Sequence, residues 1–255
     1  MVLAILAGGT AAAPATSAMG ASAGNLNLAA ELRLASQLGA CPPGASADTC
    51  AARTAEGAVP GLGSVTENYA FLAKLGPPSC AADFGKVLPY PVHFLVAGKG
   101  EIHFALAEGA ECVGVELVRT QRQSFTITGG TGIYQSASGS GTVERTLGGE
   151  TDTGRRGHEM WTGTLNVPGL EFDVTPPTVT GAVGKRVRAP RTARRVRVTY
   201  RVSAQDDVDG AVPVSCQPRS GSRFSIGRTF VTCSATDTSG NPQTKRFTVT
   251  VTRRR

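Results

Sequence analysis

Long apolar runs are missing from this 255-residue chain, and no stretch of eighteen or more apolar residues follows its opening segment, so no bilayer-spanning helix is expected. Histidine is scarce, at three residues, and the six cysteines (positions 41, 50, 80, 112, 216 and 233) include no CxxC pair and have no histidine close by. A tetrahedral zinc site is therefore not expected. The G-x-S-x-G elbow of acyl-transfer enzymes is absent, and His158-Glu159-Met160-Trp161 lacks the second histidine of a zinc-protease helix. No metal and no cofactor is expected. The basic segments carry no interleaved aromatics on which bases would stack, which argues against sequence-reading nucleic-acid contacts.

What is present points to strands. Glycine (32) and proline (15) are abundant, and apolar residues recur mostly with period two, so the fold class is expected to be all-β. The even cysteine count reads as disulfides made in an oxidising compartment. The net charge of +7 conceals a division: up to Asp173 there are 10 Lys/Arg against 15 Asp/Glu, beyond it 16 against 4. Two domains with different surfaces account for this better than one, over residues 25–170 and 174–252, with a basic tail at 253–255.

Residues 1–23 contain an apolar segment and an Ala21-Ser22-Ala23 site, which resemble a secretory signal. The basic n-region is lacking, since the first basic residue is Arg33, so the true start lies upstream or the segment is truncated; a plain Ala/Gly arm is the alternative. Secretion is the expected localisation, on the cysteine pattern as well.

In the first domain, strands are expected at Glu31–Ala35, Gly63–Ala73, Pro91–Ala97, Glu101–Leu106, Ser124–Thr128, Gly141–Thr146 and Met160–Val167. Ile102, Phe104 and Leu106 share one face, as do Trp161, Gly163, Leu165 and Val167. Many strands joined by glycine-rich turns suggest a barrel or a sandwich. The run FTITGGTGIYQSASGSGTVE, Phe125 to Glu144, resembles the strand–turn–strand segment of allene oxide cyclase and dirigent-like barrels. That resemblance implies eight strands and, often, an apolar ligand inside; none of those families' catalytic residues can be matched. Its GGTG is not a phosphate loop, because the glycine-broken IYQSASGSGTV that follows forms no helix. Among Cys41, Cys50, Cys80 and Cys112 three pairings are open, and the local one, 41–50 with 80–112, is expected. Acid–base candidates are His93, His103, His158 and Glu159, which in a barrel mouth would suit a weak isomerase or cyclase.

The second domain alternates strongly: Val196, Val198, Tyr200, Val202 and Ala204 face one way in an expected strand, as do Val231, Cys233 and Ala235, and Phe247, Val249 and Val251. Turns are expected at Asp209-Gly210, Ser220-Gly221 and Ser239-Gly240-Asn241, and together these read as a β-sandwich. The TPP opening after Val174, the strand DGAVPVSC, the block SGSRFSIGRTFVTCSATDTSGN and the closing FTVTVT resemble a hyalin repeat. The resemblance implies an extracellular immunoglobulin-like module of adhesion and display. Unlike the fuller pattern, no cysteine follows TPP or precedes FTVTVT, which leaves Cys216–Cys233 as the domain's own pair. Closing that loop contributes on the order of 3 kcal/mol.

Asp206, Asp207 and Asp209, with Asp237 in a second turn, have the oxygens calcium uses, but their expected role is turn formation. A basic stripe includes Arg195, Arg197 and Arg201. Its ordinary role is to charge edge strands against aggregation. Its functional reading is contact with an anionic cell-surface polysaccharide; another extracellular protein is the alternative partner. The chain is thus expected to be a secreted, non-enzymatic binding or adhesion protein, the alternative being a ligand-holding or weakly enzymatic barrel displayed by the sandwich.

Overall fold

A computed structural model describes residues 23–41, 43–44, 46–47, 49–75, 84–113, 118–148 and 154–254; the expected leader and Cys80 lie outside them. The first domain is built from β1 (Ala23–Gly39), β2 (Thr49–Val59), β3 (Gly63–Leu75), β4 (Phe84–Val87), β5 (Tyr90–Val96), β6 (Gly100–Leu106), β7 (Gly109–Val113), β8 (Arg119–Gly130), β9 (Ser138–Leu147) and β10 (Arg155–Glu171). An antiparallel ring β1-β2-β3-β5-β6-β8-β9-β10 closes on itself. This eight-stranded barrel leaves its ring strands no free edge. The pairs β4–β7 and β5–β6 form one long hairpin interrupted on both arms, so β4 extends the wall beside β3 and β7 beside β8.

The inward faces of the expected strands are confirmed. Ile102, Phe104 and Leu106 are buried, as are Trp161, Leu165 and Val167. β1 is much longer than Glu31–Ala35, because Leu26, Leu28, Ala30, Leu32 and Leu34 continue one buried face. β2, β4 and β7 were not anticipated. The GGTG run is a site of close backbone approach: a Cβ on Gly132 (φ +60°) would lie 2.3 Å from the Lys99 carbonyl oxygen.

The second domain holds β11 (Thr178–Thr180), β12 (Lys185–Ala189), β13 (Arg195–Arg197), β14 (Ser203–Asp206), β15 (Gly210–Val212), β16 (Val214–Gln217), β17 (Arg223–Ser225), β18 (Gly227–Thr236) and β19 (Pro242–Arg253). They form sheets β12-β19-β18-β16 and β13-β17 around Val198, Phe224, Val231, Phe247, Val249 and Val251, and a sheet β11-β14-β15 over a second cluster of Val179, Ala204, Val212 and Ala235. The single strand expected over Arg195–Ala204 is corrected. Its buried alternation persists at Val198 and Ala204, but β13 pairs with β17 and β14 with β11 and β15, so the chain changes sheets between them. Period two reports which face is buried; it does not report which neighbour supplies the hydrogen bonds.

Cys41–Cys50 and Cys216–Cys233 are disulfides, the latter joining residues directly opposite on β16 and β18. Cys112 is also disulfide-bonded, and the partner expected for it, Cys80, is outside the described residues.

The two domains touch. Phe172, past the end of β10, is buried in the barrel core with Val174 packed beside it. The β18–β19 turn sits on the β2–β3 turn so closely that a Cβ on Gly240 would lie 2.5 Å from the Val59 carbonyl oxygen, and one on Gly63 would lie 2.5 Å from that of Thr238.

Candidate functional site

The barrel axis is filled by its own side chains. Toward one end Trp161 packs against Phe94, Phe104 and Phe125, with ring centroids 4.8, 5.0 and 5.2 Å away. Beyond this aromatic cluster lie charges. Arg145 of β9 and Glu159 of β10 are both 0% exposed and pair at 2.9 Å. Arg145 also donates to Tyr69 (3.0 Å) and Gln123 (2.9 Å), while Glu159 accepts from Tyr69 and from the Trp161 indole (2.9 Å). Arg53 of β2 donates to Gln121 (2.7 Å) and lies 3.6 Å over the Phe71 ring. Burial works to raise the Glu159 carboxyl, but Arg145 and the tyrosine and indole donors outweigh it and hold the group below the ordinary carboxylate range. A general acid or base must reach a substrate proton, and Glu159 is enclosed and saturated by its partners. The network joins five strands by side-chain hydrogen bonds around a polar core.

The histidines lie elsewhere. His93 and His103 are opposite one another on β5 and β6, on the outer surface, with rings stacked at 4.1 Å and Glu101 3.1 Å from His103. His158 is exposed beside Glu31. The candidates His158 and Glu159 are not brought together, because consecutive strand residues point to opposite faces and only Glu159 enters the barrel. No histidine lines the barrel axis, so the ligand-holding alternative loses the groups on which it relied.

Glu67, also in the barrel, gives a pH-dependent expectation. Burial, with the neighbouring Glu159 charge, pushes its carboxyl well above the ordinary range. Folded Glu67 thus keeps a proton that the unfolded chain releases near about pH 4.3. The stability it contributes is fully present below the unfolded value and is lost as pH rises toward the folded one. Glu67→Gln has no proton to lose, so its advantage over the parent should grow by up to about 1.4 kcal/mol per pH unit above pH 5. Urea midpoints at pH 4.5, 6 and 7.5 measure this, and a difference independent of pH would contradict it.

The second domain's surface is cationic. Arg195, Arg197 and Arg201 are all exposed; Arg197 stands opposite Arg223 across the β13–β17 pair and donates to the Gly221 carbonyl (2.8 Å). Arg201 borders an open depression with Tyr200, Ser203 and Arg219. Arg186 and Arg188 are exposed on β12. Arg246 lies 3.7 Å over the ring of Phe230, itself 55% exposed. Every ion pair among the described residues falls within the first domain, so these guanidinium groups face solvent without a carboxylate. Neither Phe230 nor Arg246 was singled out from the sequence.

Of the aspartates, Asp207 is exposed and Asp209 accepts from the Thr238 N–H (2.6 Å) and hydroxyl (2.7 Å), bonds that lower its carboxyl below the ordinary range. Asp206 and Asp237 are buried and meet Asp173, a residue of the junction with no role expected from the sequence.

The family model of the HYR domain matches residues 172–251. Over 91 residues, 35% of this chain, the sequence is 40% identical to hyalin of Strongylocentrotus purpuratus, and those residues are 8% of that protein. The chain therefore spans less than a tenth of the relative it matches. No solved structure matches the chain. The C-terminal domain is a HYR domain, and the family match stops at the barrel's edge.

Proposed function

We propose that this chain, with its HYR domain at residues 172–251, is an extracellular, non-catalytic binding protein whose arginine surface contacts an anionic surface polysaccharide. The observation that carries this reading is the exposed set of guanidinium groups without carboxylate partners in the HYR domain, beside a barrel that holds every ion pair among the described residues. Unpaired surface cations are well solvated and cost little, yet together they raise the local concentration of a polyanion and its rate of capture. The disulfides Cys41–Cys50 and Cys216–Cys233 support an oxidising compartment. Among the described residues no helix is long and apolar enough to cross a membrane.

Heparin agarose at physiological salt tests the reading. The parent chain should be retained, and Arg195→Gln/Arg197→Gln/Arg201→Gln should elute earlier. With roughly 0.2–1 kcal/mol for each exposed charge pair, affinity should fall between about threefold and 150-fold. An unretained parent, or a triple variant eluting with it, would leave the stripe as a solvated face that keeps strands apart.

A further inference from the structure

Three carboxylates from distant parts of the chain converge where the HYR domain meets the barrel. Asp173 comes from the segment after β10, Asp206 ends β14 and Asp237 follows β18, and donor atoms from all three lie within 4.8 Å of one another. Each aspartate spends part of its hydrogen-bonding capacity on its own turn. Asp173 Oδ1 accepts from Thr175 N–H (3.0 Å), and Asp206 Oδ1 accepts from the N–H groups of Val208 (2.9 Å) and Asp209 (3.0 Å). Asp237 accepts from the Asn241 backbone (2.7 Å) and side-chain amide (2.8 Å), and that amide also donates to the Asp173 carbonyl (2.9 Å).

Turn formation therefore does not account for the second oxygens. Asp206 is 3% exposed, yet its Oδ2 is buried with no hydrogen-bond donor, and the same holds for Asp173 Oδ2. A buried carboxylate oxygen without a donor is costly, and here two of the three clustered carboxylates each have one. Lys99, the lysine near this junction, spends its ammonium on the Leu62 carbonyl (2.8 Å).

We propose that Asp173, Asp206 and Asp237 form a calcium site that binds the connecting segment to two turns of the HYR domain. The donors are all oxygen, which suits a hard cation rather than zinc or copper. The junction's carbonyls and water would complete the six to eight ligands calcium takes, a number and flexibility that magnesium's small octahedron does not match. The ion would supply the positive charge that the orphaned oxygens lack and stiffen the joint between the domains. None of this depends on the arginine surface.

Calorimetry of the full chain in EGTA and in 5 mM CaCl2 tests the site, with direct calcium titration for affinity. For an extracellular-type site with Kd of about 0.1–1 mM, calcium should raise Tm by about 5 °C, and 5 mM MgCl2 should do less. Asp206→Asn keeps the Oδ1 acceptor of the turn while removing the orphan charge. It should lose the calcium shift yet match or exceed the parent's Tm in EGTA, and Asp173→Asn should behave alike. A parent without a calcium shift would overturn the proposal, as would a shift surviving in both variants. So would an Asp206→Asn destabilised equally with and without calcium, and an equal response to magnesium would overturn the assignment to calcium.

Discussion

Arg145→Met is expected to destabilise the barrel by about 3–5 kcal/mol, because it leaves Glu159 ionised and unpaired in the core. Arg145 is fully enclosed and holds Glu159 at 2.9 Å and Gln123 at 2.9 Å, so no water replaces it. A buried pair can be close to neutral against an apolar replacement while the loss of one partner is severe. Hence Arg145→Met/Glu159→Gln should recover more than half of the loss, since the substituted amide carries no charge to bury and can still accept from Trp161 or Tyr69. Trp161 is the single tryptophan of the chain and sits in the barrel, so its fluorescence in a urea titration reads this domain without the HYR domain. A single variant within about 1 kcal/mol of the parent would mean that Glu159 takes up a proton at little cost, or that water reaches it.

This network also shows where the sequence stops being legible. The strands most plainly legible are those whose inward residues are apolar throughout, such as β6 with Ile102, Phe104 and Leu106, and β19 with Phe247, Val249 and Val251. β2 escapes because its inward positions include Ala51, Arg53 and Ala55, and an arginine on the core face inverts the pattern that marks a strand. Gln121, Gln123 and Glu159 hide only the first parts of β8 and β10, while Gly63–Ala73 and Gly141–Thr146 are legible in spite of inward Glu67 and Arg145. Their partners lie far along the chain, 90 residues for Tyr69 with Glu159 and 76 for Arg145 with Tyr69. No local pattern announces such a pairing.

The junction is opaque for a related reason. Asp206 and Asp237 stand in recognisable turns of the hyalin pattern, and their turn-forming role is real. What changes their meaning is Asp173, at the head of DVTPPTVTG, a junction segment that reads as a stiff connector and also resembles the opening of a hyalin repeat. Its buried, undonated oxygen exists because Phe172 anchors that segment in the barrel and Asn241 ties it to the HYR domain. All three aspartates lie within residues 172–251, but what brings their carboxylates together is the folding of the connecting segment against two distant turns, which no local pattern shows.

Trp161→Ala should cost the barrel about 3–5 kcal/mol, the range for emptying the site of a large buried aromatic. Trp161 is 0% exposed, and three phenylalanine rings close around it. The strands nearby are fitted to this cluster: at Gly141 a Cβ would lie 2.6 Å from Phe125 Cζ and 2.1 Å from the Thr162 carbonyl oxygen. Glycine in the GSGT run therefore admits the ring and the neighbouring strand together, so the wall has little freedom to collapse into the vacated space. The indole does a second job, donating to Glu159 Oε2 at 2.9 Å. Trp161→Phe keeps much of the ring packing but withdraws that donor, and an unmet buried hydrogen bond costs about 1–3 kcal/mol. Calorimetry of the two variants separates the contributions. If phenylalanine costs as much as alanine, the hydrogen bond to Glu159 dominates at this position; if it costs nothing, Arg145 and Tyr69 alone satisfy the carboxylate.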